Sequence, residues 1–281
     1  MKIVETIAAL RHTLQNEENI AFVPTMGNLH DGHLALVKKA KKEAGFVVVS
    51  IFVNPLQFLP SEDFNQYPRS FEADCRLLRN LDVDVVFAPD EKMLFPFQQE
   101  ILIRLPAVAD MLEGEFRPGF FQGVATIVIK FFNIIQPDIA IFGKKDYQQL
   151  HIIRLMVQQL NFPIRILDTE IIRATDGLAL SSRNQYLNGP ERQEACQLFQ
   201  VLNNIVCGIT SGQRDFLFLE KEAIEYLSGR GWLVDYVSIV NQQTLLPART
   251  GEQQLAVLAA ARIGKTRLID NIEFTVKSDI G

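Results

Sequence analysis

The 281-residue chain is poor in cysteine, has no long apolar run and carries no excess of positive charge, and each shortage closes off a class of protein. Its three cysteines, Cys75, Cys196 and Cys207, show neither metal-ligand spacing nor a neighbouring histidine that would make a Cys/His nucleophile, so they read as buried or half-buried thiols. No apolar run approaches the ~20 residues that cross a bilayer, and Glu5 stands where a signal peptide would continue apolar, so a cytoplasmic protein is expected. A net charge of −5 and a pI near 5.5 argue against a general nucleic-acid or membrane-surface binder, since a phosphate backbone calls for a basic face. Any cluster of cations must be local. No G-x-G-x-x-G follows the first strand, which disfavours a dehydrogenase. Gly264-Lys265-Thr266 lacks the upstream glycine of a phosphate loop, because Ala259 occupies that place. Internal repeats and low-complexity segments are missing too. What remains, at 48% apolar residues, is enough for a proper core, and the length suits one large α/β domain with a smaller companion.

What is present centres on Pro24-Thr25-Met26-Gly27-Asn28-Leu29-His30-Asp31-Gly32-His33. Ile20, Ala21, Phe22 and Val23 precede it and read as a buried strand, and an amphipathic run over 34–44, closed by Gly45, reads as a helix. Two histidines and two glycines thus sit at a strand-to-helix turn. Helix N-termini offer unpaired N–H groups and a partial positive charge of about half an elementary unit, so a phosphate is the natural guest.

An α/β series extends from there. Residues 4–15 space their apolar side chains for a short helix, and 46–53 form a β-branched and aromatic run that suits a strand covered on both faces, broken by Asn54-Pro55-Leu56-Gln57-Phe58. A polar loop continues to Tyr67-Pro68-Arg69. Ser70 is placed to N-cap a helix reaching about residue 81, 83–88 is the next strand, and Pro89, Pro96, Pro106 and Pro118 leave loops around a short helix near 106–113. A buried helix over 124–135, a strand over 138–142 ending in Gly143-Lys144-Lys145-Asp146, a helix over 147–160 and a strand over 164–168 complete the series. After about residue 175 the pattern changes. A polar link through Leu180, Ser181, Ser182 and Arg183 leads to helical segments over 190–209 and 214–229 and to strands over 233–240, 255–261 and 266–272. The expected fold class is α/β: a Rossmann-like doubly wound parallel sheet over 1–176, with a second, smaller α+β domain over 177–281.

His30 and His33 lie three apart and share a face if the helix begins near Asp31. As plain turn residues they need carry no function, and as a metal site they lack any third ligand beyond Asp31. Donation to phosphate oxygens suits them better, because it stabilises charge that accumulates in phosphoryl or nucleotidyl transfer. Lys144 and Lys145 would be solvated surface in most settings, but a strand C-terminus gives them a use. Ser181-Ser182-Arg183 is blandly a polar turn; on a hinge, its two hydroxyls and guanidinium would close over a triphosphate. Gln57 and Gln149 place amides near the same rim, with Asn54 at the same sheet edge, and amides suit a small hydroxylated acid.

Together these residues resemble the pantothenate synthetase (pantoate–β-alanine ligase) family of the class I nucleotidyltransferase superfamily, over the whole length of the chain. The matching stretches are 24–33, 50–58, 67–69, 142–150, 180–184 and 266–271, in the same order and at compatible spacing. The resemblance implies joining of pantoate to β-alanine with ATP through a pantoyl-adenylate, release of AMP and pyrophosphate, and a homodimer whose second domain lids the site. It implies that ATP is held by Met26, Gly27, Asn28, Leu29, His30, Asp31, Gly32, His33, Gly143, Lys144, Lys145 and Asp146, with Ile172, Leu180, Ser181, Ser182 and Arg183 completing its site. His33 matches the residue the family treats as catalytic, and His30, Lys145 and Arg183 join it as donors to the reacting phosphate. Gln57, Gln149 and Asn54 match the pantoate side, Gln57 also lying near β-alanine, and Asp74 matches a position associated with Mg²⁺ on the ATP phosphates. Phe120 and Gln122 depart from the pattern: members commonly carry His at the first position and often Arg at the second, so two potential cations are lost.

Rival readings are another nucleotidyltransferase of the superfamily, a metal-dependent hydrolase built on His30, His33 and Asp31, and a nucleotide sensor without turnover. The preferred one requires imidazole, ammonium and guanidinium groups from three separated loops to meet at one triphosphate.

Overall fold

Strands that are apolar at nearly every position, rather than at every second one, need cover on both faces, and strands of this kind, 46–51 among them, form the middle of the six-stranded sheet of the first unit. The computed structural model describes residues 1–60 and 62–276, and the chain divides into the units Met1–Ile172 and Arg173–Gly281. Ser61, in the polar loop expected before Tyr67, lies outside the described residues.

In the first unit, β1 (Lys2–Val4), α1 (Ile7–Leu14), β2 (Ile20–Thr25), α2 (Asp31–Glu43), β3 (Phe46–Ile51), α3 (Phe71–Arg79) and β4 (Val85–Phe87) come first. Short helices α4 (Glu91–Leu94) and α5 (Glu113–Phe116) follow, then α6 (Phe120–Ile135), β5 (Ile139–Gly143), α7 (Tyr147–Gln159) and β6 (Arg165–Thr169). The strands are all parallel, in the order β1-β4-β3-β2-β5-β6. Side chains alternate between the two faces of the sheet. Phe22, Val48, Val85, Phe87, Ala140 and Phe142 meet the apolar stripes of α1, α6 and α7. Ala21, Val23, Val47, Val49, Val86 and Ile141 meet Leu36, Val37 and Ala40 of α2 and Leu78 of α3. This is the doubly wound α/β architecture the patterning predicts.

The order fixes where a ligand belongs. From β2 the chain steps outward to β3 and β4, and after α6 it returns to the other side of β2 for β5 and β6. Strand order reverses between β2 and β5, so the turns after their carboxyl ends flank the crevice where open α/β sheets bind ligands. Those turns are 26–30 and 144–146.

Several elements differ from expectation, among them α6, which starts at Phe120 rather than 124, and the segment 190–209, which is two helices. The N-terminus holds the edge strand β1, paired with β4 from Lys2↔Val85 to Val4↔Phe87, and the helix starts only at Ile7, where the Thr6 hydroxyl accepts the Ala9 N–H at 3.2 Å. A three-residue edge strand is too short to show a period. Helix α2 begins at Asp31, ahead of the apolar run at 34. Ser70 does not cap α3 with its side chain; the hydroxyl is used elsewhere, as shown below.

The second unit contains α8 (Gly189–Glu194), α9 (Gln197–Thr210), α10 (Phe216–Gly229) and an antiparallel sheet of β7 (Leu233–Asn241), β8 (Gln254–Ile263) and β9 (Thr266–Thr275). Its core joins Leu198, Leu202, Ile205 and Leu227 of the helices to Leu255, Val257 and Ala259 of the central strand. The thiols follow expectation except for Cys207, which is exposed. No helix among the described residues is long and apolar enough to cross a membrane.

Candidate active site

The turn after β2 satisfies its own backbone. Gly27 and Asn28 both take left-handed conformations, with φ of 81° and 50°, which turns the N–H groups of Asn28 and Leu29 to one side. The Asp74 carboxylate of α3 receives both, at 2.8 Å each, one on each oxygen, and the Ser70 hydroxyl donates to Oδ1 at 3.1 Å. A concavity of successive N–H groups binds anions, and here the anion is a side chain. The N–H groups of Asn28 and Leu29 are thereby taken by a side chain.

Helix α2 is closed by two histidines. His30 stands at the N-cap and its Nδ1 accepts the Gly32 N–H at 3.1 Å, while Nδ1 of His33 accepts the His30 N–H at 3.4 Å. The ring centroids are 4.2 Å apart. An imidazole that accepts at Nδ1 carries its proton on Nε2. A second proton would break a cap and put a cation against the positive end of a helix. Burial, with the nearby Lys145 ammonium also opposing charge, lowers the pKa of His30 to about 4. Burial first, then His30 and Lys145, lowers that of His33 to about 3. Both rings are neutral at pH 7. Residue type alone counts imidazoles toward the charge needed at a phosphate; the structure makes them uncharged Nε2–H donors.

Beyond β5, Lys145 and Asp146 both act electrostatically on His30, which places this turn beside the histidines. Lys144 is directed to the next strand, paired with Asp168 at 3.8 Å and with Glu170. Gln149 lies in the first turn of α7, half-buried. Its neighbour Gln148 is buried and structural: Nε2 donates to the Val108 and Met111 carbonyls and Oε1 accepts the Glu113 N–H.

Asn54 and Gln57 come from the segment after β3. Gln57 Nε2 donates to the Met26 sulfur at 2.9 Å, and Asn54 Nδ2 donates to Gln57 Oε1 and to the Gly123 carbonyl, both at 3.1 Å. Helix α6 can approach this closely only because position 123 is glycine: a Cβ there would stand 2.0 Å from the Leu56 carbonyl oxygen. Arg117 then locks the segment from behind. It holds both Glu62 oxygens, at 2.6 and 2.8 Å, donates to Glu113 at 3.2 Å and to the Gln57 carbonyl at 3.1 Å, and lies 3.6 Å from the centroid of the Phe120 ring. The two departures at 120 and 122 acquire uses: Phe120 stacks on Arg117, and Gln122 donates to the Ile103 carbonyl.

In the second unit, Arg173 grips both oxygens of Asp270 at 2.6 and 2.8 Å, donates to the carbonyls of Gly177 and Asn271, and stacks on Phe199. The turn so held leads into Leu180 and Ser181, whose hydroxyl accepts the Arg183 N–H at 3.3 Å to cap the turn over Ser182–Tyr186. Ile172 is the last residue of the first unit. Arg117, Glu62 and Arg173 leave no mark on local sequence patterns because each acts on a partner 55 to 97 positions away.

Among the described residues no group of three or more His, Cys, Asp or Glu side chains is placed to hold a metal ion. Asp74 does not fit the Mg²⁺ position that the resemblance assigns it. It is 1% exposed and both oxygens are already accepting.

A family model described as Pantoate-beta-alanine ligase matches residues 2–273. A protein named Pantothenate synthetase from Nitrosomonas europaea is 56% identical, over 98% of this chain and 100% of its own length. Another of that name from Laribacter hongkongensis is 55% identical over 97% and 99%. Among solved structures, pantothenate synthetase from Thermus thermophilus superposes with a TM-score of 0.93 at 42% identity, over 97% of this chain and 99% of that one. Pantoate-beta-alanine ligase from Francisella tularensis, complexed with beta-gamma ATP and beta-alanine, gives 0.84 at 34%, over 97% of each.

Proposed function

This chain belongs to the pantoate–β-alanine ligase family, and from that premise we propose that His30, His33 and Lys145 carry the adenylation of pantoate at the crevice between β2 and β5. The protein is an ATP-dependent, pantothenate-forming ligase. In the first step a pantoate carboxylate oxygen attacks the α-phosphorus of ATP, the bond to the β-phosphate breaks, and pyrophosphate leaves with the electron pair. The nucleophile is ionised at pH 7 and needs no base. It needs donors aimed at the charge that develops, and two Nε2–H groups beside an ammonium supply them without reorganising. ATP enters as its Mg²⁺ complex, the ion carried on the phosphates as part of the substrate.

In the second step the free amine of β-alanine attacks the acyl carbon, and AMP departs as the amide forms. His30 and His33 are poor candidates for the base here, since each has its proton on Nε2 and its lone pair committed to a cap. The proton goes to departing AMP or to water. Gln57, Asn54 and Gln149 bind pantoate. The loop 26–33 and Gly143, Lys144, Lys145 and Asp146 line the ATP site, and Ile172, Leu180, Ser181, Ser182 and Arg183 are assigned to ATP on the resemblance alone, with the smaller domain as lid.

We further propose a homodimer in which a second copy covers Phe97, Ile101 and Leu102, which are 84%, 83% and 59% exposed in one segment of the first unit, and we place the reaction in the cytoplasm, where ATP is supplied. The observation that carries the catalytic reading is the pairing of two Nδ1-capped imidazoles with Lys145 at the strand-order reversal. The decisive assay is exchange of labelled pyrophosphate into ATP. Exchange that requires pantoate and Mg²⁺ is expected; its absence with ATP, pyrophosphate, pantoate and Mg²⁺ all present overturns the reading.

A further inference from the structure

We propose that Asp74 is a positioning residue for adenylation, the anion around which the turn carrying His30 and His33 is folded, and not a ligand of the metal that accompanies ATP. The inference rests on the function proposed above. Asp74 projects from the first turns of α3, where the helix dipole favours an anion. Its two oxygens meet the consecutive N–H groups of Asn28 and Leu29, which the left-handed φ values of Gly27 and Asn28 direct toward it, and the Ser70 hydroxyl holds the same carboxylate from its own helix.

Fit is tight on the other side as well. A Cβ at position 27 would lie 3.1 Å from Asp74 Oδ2 and 3.1 Å from a methyl of Ile51, so glycine at 27 and aspartate at 74 are one device. The residue after Leu29 is His30, whose N–H binds His33 and whose Nδ1 caps the helix. The clasp therefore fixes the start of the chain of hydrogen bonds that keeps the proton of each ring on Nε2. A carboxylate with 1% exposure and three donors on its roughly four acceptor sites presents no solvent-facing edge to a hydrated ion.

Two substitutions separate this role from metal binding. Asp74→Asn turns an NH₂ group toward one of two N–H donors and loses a clasp bond. Asp74→Glu keeps a competent metal ligand but adds a methylene where there is no room. Pantoate-dependent pyrophosphate exchange is measured as a function of Mg²⁺ and pantoate, with thermal melts and histidine ¹H–¹⁵N NMR on the same samples. We expect both variants to lose about 10- to 100-fold in kcat, with half-saturating Mg²⁺ and pantoate KM unchanged, and the Nε2–H pattern of His30 and His33 to average between tautomers. A raised Mg²⁺ requirement, or recovery of Asp74→Glu at high Mg²⁺, overturns the proposal. So does wild-type kcat per folded molecule with an intact tautomer pattern, whatever the melting temperature. If the wild type itself shows no exchange, the functional reading fails, and the NMR pattern alone still decides whether Asp74 holds the turn.

Discussion

Acidification from pH 7 to pH 5 should leave the His33 ring uncharged in the folded protein while it charges that ring in the unfolded chain, and the difference is measurable as lost stability. The ordinary pKa is 6.5 and the folded value is about 3. Because the folded value lies below the unfolded one, the stabilisation is complete above pH 6.5, declines as the pH falls, and is spent near pH 3. At pH 5 the unfolded histidine is about 1.5 pH units below its midpoint and almost fully protonated, which at 1.36 kcal/mol per unit makes about 2 kcal/mol. The ring is half-buried by surface area, so water recovers part of this, and about 1–2 kcal/mol is the expected loss. Urea unfolding at pH 7, 6 and 5 of the wild type and of His33→Gln isolates it, since the glutamine carbonyl can accept the His30 N–H without titrating. The wild type should lose about 1–2 kcal/mol more than the variant between pH 7 and 5. Parallel curves, or a folded-state NMR titration of His33 near pH 6.5, would refute the argument that Nδ1 is committed to the cap.

Other outcomes follow from the same geometry. Lys145→Ala should lower kcat for adenylation by about 10²- to 10³-fold with stability changed by only about 0.5 kcal/mol; comparable losses in rate and in melting temperature would show that the lysine acts through the fold. Gly123→Ala sets a methyl 2.0 Å from the Leu56 carbonyl oxygen, which as backbone cannot step aside. It should cost ~3 kcal/mol in chemical denaturation and raise pantoate KM, because Asn54 hangs on the Gly123 carbonyl. Arg117→Ala leaves Glu62 and Glu113 facing each other without their cation and should cost about 3–5 kcal/mol. A change within about 1 kcal/mol would mean that water already reaches the pair.

Much of this molecule was legible in one dimension because burial leaves a local trace. Continuous apolar strands such as 46–51 announce a sheet covered on both faces, helical spacing announces what covers it, and the histidine-bearing turn after β2 marks itself by glycine and polar residues between two such patterns. The reversal of strand order that puts residues 26–30 beside 144–146 is consistent with that series but is settled only by pairing of β2 with β5.

The amino-acid order by itself determined the fold class and the family and marked the turns after β2 and β5 as the candidate site, since all of these rest on spacing along the chain. Tertiary structure alone decided the charge state and the division of labour. Whether an imidazole is a cation depends on what its Nδ1 accepts, whether Asp74 can hold an ion depends on the N–H groups of residues 45 and 46 positions earlier, and whether Gln57 is held depends on Arg117, 60 positions on. Periodicity records which side chains leave water; a proton's position and an acceptor's vacancy are set by partners that only chain reversal brings within about 3 Å.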